Sequence, residues 1–213
     1  MKESRVIIWV LATTLLIFAV LSLVWKEDSA LPQDNILPWQ SYVNPTGQTV
    51  AFNLTIGESK LVDAMRLFNT AEVEVSLFEQ EDGAPNLEAF FVKVRLEGID
   101  AKVILNLDAD NQVVDQLAQH IDEVVIMPSG AKKAEFNPMA DRIVFDRVIR
   151  VITFVPRTDL DTQILTQRFG EPQRVEIGKE GQQYWHYPAK GLRIILDDEG
   201  QEIFEYANLE ANQ

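Results

Sequence analysis

Residues 6–25 form a run of twenty side chains without a charge, VIIWVLATTLLIFAVLSLVW, and nothing else in the 213-residue chain limits its folding as tightly. At 1.5 Å per residue a helix over this run is about 30 Å long, one hydrocarbon thickness. Thr13, Thr14 and Ser22 can return their hydroxyls to helix carbonyls, and Trp9 and Trp25 fall near the two ends, where amphipathic rings suit a membrane interface. The pattern predicts a single transmembrane helix. Lys2 and Arg5 precede it, whereas Lys26 stands beside Glu27 and Asp28 and the next basic residue is Lys60. The positive-inside rule therefore places the tip, residues 1–5, in the cytoplasm and everything after the helix on the far side. A cleaved signal peptide has a shorter apolar core followed closely by a small-x-small site, and this run has neither feature. The expected location is the bacterial inner (cytoplasmic) membrane, single-pass, with a periplasmic C-terminal domain.

Charge and cysteine content narrow the partners. Of 19 basic and 33 acidic side chains, 17 and 32 follow the apolar run, a balance of −15 within a total of −14. A surface that replaces counterions on phosphate, or binds anionic headgroups, needs clustered Lys and Arg, so nucleic acid is not expected as a partner and membrane contact is expected through 6–25. Cysteine is absent. That removes disulfides, thiolate metal sites, cysteine nucleophiles and the acylated cysteine of a lipoprotein.

Residues 26–48 carry Pro32, Pro38 and Pro45 with little periodicity and read as a semi-stiff stalk. Trp39 and Tyr42 are large for a linker, so its second half either packs on the domain or lies at the membrane surface. Beyond it the pattern predicts an α+β fold in two similar halves. In the first, 49–127, a short strand precedes a helix with Leu61, Val62, Met65 and Phe68 on one stripe. A meander follows: Val73, Val75 and Leu77 alternate, then Phe90, Val92, Val94 and Leu96 point opposite to Phe91, Lys93 and Arg95, and Gly98 turns into a strand with Ala101, Val103, Leu105 and Leu107. After Asp110, the residues Val113, Val114, Leu117 and Ile121 mark a second helix. Residues 128–157 connect the halves and end in a long strand. In the second half, 158–206, Thr158 or Asp159 caps a helix with Leu160, Ile164, Leu165 and Phe169 apolar, and Gly170 and Pro172 stop it. Strands at 174–177, 183–187 and 192–196 and a last one ending at Tyr206 follow, leaving a tail at 207–213.

Leu160 through Phe169-Gly170-x-Pro172, followed by Trp185-x-Tyr187 and the strand at 191–196, resembles the repeat of the SmpA/OmlA outer-membrane assembly lipoproteins and the β-lactamase-inhibitor-protein-like fold. Residues 57–68 and 90–107 are a fainter copy, with Asn69 in the place of Gly170, and the two stretches cover about half of the chain. The resemblance implies a fold that binds other proteins without catalysis. This chain has an apolar helix in place of the lipoprotein cysteine, so its organisation is closer to bacterial inner-membrane proteins with one anchor and one periplasmic domain.

Chemical motifs are sparse. Ser129-Gly130-Ala131-Lys132 fits the S-x-x-K of acylating serine enzymes, but the companion Ser-Asp-Asn and Lys-Thr-Gly elements are missing, and Pro128 and Gly130 read as a turn. His120 and His186 are the two histidines, too few for a multi-histidine zinc site. Asp197, Asp198 and Glu199 stand at a turn marked by Gly200, where adjacent carboxylates face apart. Asp108 and Asp110 lack the glycine and terminal glutamate of a calcium loop and read as helix caps. No catalytic residue, metal site or cofactor is expected.

What remains is a surface. Phe78, Phe91, Ile104 and Ile195 fall on the polar side of their strands, and Trp185 and Tyr187 are large aromatics on a half-exposed sheet. Together they are the candidate recognition face, and the expected partner is another envelope protein. The competing readings are an envelope enzyme using Ser129, Lys132 and His186, and a carrier or sensor of a small apolar ligand held between the halves.

Overall fold

The computed structural model describes residues 36–79, 83–179, 181–197 and 201–208. The run at 6–25 and the first part of the stalk lie outside these residues, as do Asp198, Glu199 and Gly200. Among the described residues no helix is long and apolar enough to cross a membrane.

From Ile36 onward the expected stalk belongs to the fold. Pro38–Gln40 form a 3-10 turn with Pro38 buried. The Tyr206 hydroxyl donates to the Pro38 carbonyl at 2.9 Å, and Lys190 Nζ donates to the Trp39 carbonyl at 2.9 Å. Strands β1 (Tyr42–Val43), β2 (Thr49–Ala51) and β3 (Leu54–Thr55) then make a small antiparallel sheet. The short strand expected before the first helix is broken in two because Phe52 and Asn53 both take left-handed backbone, with φ 55° and 59°, the geometry of a two-residue hairpin. A left-handed L-residue costs roughly 1–2 kcal/mol. Burial of the Phe52 ring recovers roughly 3 kcal/mol. That ring is 1% exposed, stacked on Phe154 and edge-on to Tyr206, each at 5.2 Å.

Helix α1 (Leu61–Leu67) buries Leu61 and Ala64, and Asn69 turns the chain out of it with φ 48°. The meander follows as β4 (Glu74–Glu79), β5 (Asn86–Leu96) and β6 (Ile99–Leu107), the last two joined through left-handed Glu97 and Gly98. Helix α2 (Asn111–Ala118) starts where Asp110 accepts a hydrogen bond from Val113 N at 2.9 Å. Ile121 is not in this helix: it opens β7 (Ile121–Ile126), which hairpins into β8 (Lys132–Phe136). A 3-10 turn at Pro138–Ala140 and the one-turn helix α3 (Asp141–Val144) lead into β9 (Ile149–Pro156). Helix α4 (Thr162–Phe169) is capped by Asp161, which accepts from Ile164 N at 2.7 Å, and neither Thr158 nor Asp159 is the cap. After it come β10 (Arg174–Ile177), β11 (Gln183–Tyr187), β12 (Leu192–Leu196) and β13 (Ile203–Ala207).

The strands from β4 onward join in one ten-stranded sheet of order β10-β11-β12-β13-β9-β6-β5-β4-β8-β7, and every adjacent pair is antiparallel. The fold is therefore α+β. Helices α1 to α4 and the small sheet contribute their apolar side chains to one core on one face of the large sheet. Trp185, Ile194, Phe204, Phe154, Val103 and Phe91 are successive cross-strand partners in one row of that face.

The register explains the position of Phe91. Between the pairs Phe91–Val103 and Val94–Ala101, β5 uses one residue more than β6, a β-bulge at Val92 and Lys93. Core-facing positions run Leu87, Ala89 and Phe91 before the bulge and Val94 and Leu96 after it. Strict alternation across the bulge puts Phe91 on the wrong face.

Candidate functional site

The opposite face of the large sheet carries the site. One residue out of phase with the core row, His186, Arg193, Glu205, Thr153, Ile104, Phe90 and Glu74 are partners across seven strands. All seven are half-buried or exposed. Parallel rows add Tyr184, Ile195 and Ile203 on one side and Asn106, Glu88, Ser76 and Glu135 on the other, with Asn86, Phe78 and Lys133 beyond them. Ser76 is the fully buried member of these rows.

Two apolar islands stand out on this face. Phe78 and Phe90 meet edge-to-face at 5.9 Å, and Ile104 is the cross-strand partner of Phe90. At the other end Ile195 lies between Tyr184 and Ile203. Between the islands Arg193 pairs with Glu205, and its guanidinium lies 5.7 Å from the centre of the Tyr184 ring.

The borders are charged. Lys133 bonds Glu74 and Glu135, and those two bonds hold its ammonium above the usual lysine range. Burial pushes the Glu88 carboxyl up, partly opposed by the hydrogen bond from the Asn86 amide. His186 Nε2 lies 3.3 Å from Glu176 Oε2. The face thus offers apolar patches set among charged pairs.

Of the six residues expected here, Phe78, Ile104 and Ile195 are on this face and half-buried. Phe91, Trp185 and Tyr187 are not: they lie on the core face, 1%, 8% and 5% exposed. The bulge accounts for Phe91. Trp185 and Tyr187 are covered because α4 packs above their strand, where Phe169 meets Tyr187 at 6.0 Å and the Tyr187 hydroxyl donates to the Gly170 carbonyl at 3.1 Å. Burial, with a smaller contribution from Glu171, pushes the Tyr187 hydroxyl up to about 12. Phe90, Tyr184 and Ile203 were missed as site residues. For Phe90 the cause is the same bulge, which exchanges its face with that of Phe91, while Tyr184 and Ile203 are the cross-strand partners of the expected Ile195.

The edges of the sheet add a second kind of surface. Every residue of β7 is exposed, with Ile126 at 73% and Val124 at 52%. On the far edge, β10 is exposed in the same way and shows Ile177 at 66%. Such edges present unpaired backbone donors and acceptors to a further strand.

The remaining chemical candidates are scattered. Ser129 lies in the exposed β7–β8 turn, closed by Gly130 N donating to Met127 O at 2.9 Å, and Lys132 is exposed on β8. His186 is on β11, toward the other end of the strand order. His120 follows α2, and its carbonyl accepts from Asn137 N at 3.0 Å. Asp108 accepts from Val148 N and so ties β9 to the end of β6. Among the described residues no three His, Asp or Glu side chains are grouped to hold a metal ion. The chain matches no protein-family model, no curated protein and no solved structure.

Proposed function

We propose that this chain is a protein-interaction domain of the bacterial cell envelope, a scaffold or adaptor that binds a partner protein on the uncovered face of its ten-stranded sheet. In this reading residues 6–25 anchor it in the inner membrane with the N-terminus inside, and the domain is periplasmic. The reading takes α1 with β4 to β6 and α4 with β10 to β13 as the two similar halves that a SmpA/OmlA-like pattern would have.

One observation carries the reading. Phe78, Phe90, Ile104, Tyr184, Ile195 and Ile203 occupy a sheet face that receives no helix of the described fold. Sheet faces without a partner layer are ordinarily polar, and aromatics there supply contact area at low entropic cost.

The test is in-cell photocrosslinking from a probe at Ile104, with Arg66 on α1 as the control position. The reading predicts one protein adduct from Ile104 and none from Arg66. No adduct from Ile104, or the same adducts from both positions, would contradict it.

A further inference from the structure

A groove opens at the margin of the core. A cavity of about 230 Å³ lies between the Pro38–Gln40 turn, α4 and strands β9 and β13, with Gly98 and Ile99 of the β5–β6 turn also lining it. Its walls include Trp39, Ile99, Phe154, Leu160, Leu165 and Phe204. An apolar cavity of about 150 Å³ accepts benzene, so this one has room for a body about half as large again, an aliphatic chain of about eight to ten carbons.

The polar lining decides the head group. Arg168 is the one charged side chain in the wall, and Thr158 supplies the one hydroxyl. The Arg168 guanidinium lies 4.8 Å from the centre of the Trp39 ring, and no carboxylate among the described residues pairs with it. A guanidinium held by an aromatic ring keeps its fork of donors for a carboxylate. A peptide would bring amides that this wall leaves without partners, whereas an acyl chain brings none.

We infer that this cavity binds a medium-chain acyl carboxylate, its tail against the half-buried Trp39, Ile99 and Leu160 and its carboxylate on the exposed Arg168. Trp39 forms one wall, so occupancy also steadies the Pro38–Gln40 turn. The site is on the opposite side of the sheet from Ile104, and it stands or falls independently of the interaction reading.

The experiment is photolabelling of the full chain in lipid nanodiscs with a diazirine-bearing decanoic acid, followed by mapping of the adduct. The label is expected on the α4 peptide or on Pro38–Gln40. Decanoate should compete about tenfold better than decanol, the difference one charge-assisted hydrogen bond makes. Arg168→Met should keep the labelling and abolish that difference. Ile164→Trp, at a wall position 39% exposed and so tolerant of bulk, should suppress labelling without lowering the melting temperature. Label scattered over other peptides, equal competition by decanol and decanoate, or stronger competition by a short apolar peptide would each overturn the assignment.

Discussion

On the core face Trp185, Ile194, Phe204, Phe154, Val103 and Phe91 stand in one row, none more than 8% exposed. One residue along on the same six strands, His186, Arg193, Glu205, Thr153, Ile104 and Phe90 face the other way, and none of them is buried. The same backbone and the same hydrogen bonds serve both rows. What separates them is the layer of helices over one and not the other, so the first row holds the fold together while the second is available to a partner.

The largest effect expected from this contrast is at Phe154, which stacks on Phe52 at 5.2 Å and on Phe204 at 6.0 Å. Phe154→Ala should cost about 3–5 kcal/mol, whereas Ile104→Ala on the adjacent strand should cost under about 1 kcal/mol, both read from denaturant midpoints. Equal losses would mean that the second face is covered in the isolated chain as well.

Next in size is Gly191, whose left-handed φ of 57° precedes β12. A Cβ there would overlap the Thr49 side chain, where the small sheet closes on the large one. Gly191→Ala should cost about 2–4 kcal/mol, combining backbone strain with overpacking. A neutral result would show that the small sheet moves aside easily.

Ile126→Lys, at the most exposed apolar position of β7, should change stability by no more than about 0.5 kcal/mol. It should nonetheless reduce self-association of the purified chain at high concentration, because a charge blunts an edge strand. Light scattering against concentration distinguishes an edge that recruits strands from one that is inert.

The smallest effect concerns Glu202, 7% exposed, with Oε2 unpartnered. Burial pushes its carboxyl above the ordinary value of 4.5; backbone hydrogen bonds at Glu202 and Leu160 oppose this in part, and the neighbouring Asp159 carboxyl adds to it. The folded chain therefore holds this proton at a pH where the unfolded chain has released it. The resulting contribution is complete below the ordinary carboxylate value and is lost as pH rises through the folded one. Glu202→Gln should remove that part of the slope, raising the melting temperature at pH 7 relative to the parent and leaving little difference at pH 4.

Much of this arrangement is legible in the sequence, and the exceptions have physical causes. The strands at 174–177, 183–187 and 192–196 are where alternation and turn residues place them. The β7–β8 hairpin escaped because Ile121–Ile126 is exposed on both faces, so no buried face imposes a period of two. Alternation alone puts Phe91 on the wrong face because a bulge adds a residue without leaving a glycine or proline to mark it. Trp185 and Tyr187 alternate correctly with His186, yet alternation does not say which face a helix will cover. The cavity was out of reach for a different reason. Trp39, Ile99, Phe154 and Leu165 belong to four distant segments that only the sheet order brings together.

Hydroxyl-radical footprinting of the full chain, in native membranes and again after purification, tests the division between the faces most directly. The account predicts that Phe78, Phe90, Ile104 and Ile195 are protected in membranes and labelled once purified, while Phe154, Phe204 and Trp185 are protected in both states. Equal labelling of the first group in the two states would mean that no partner covers that face, and the central claim would be wrong.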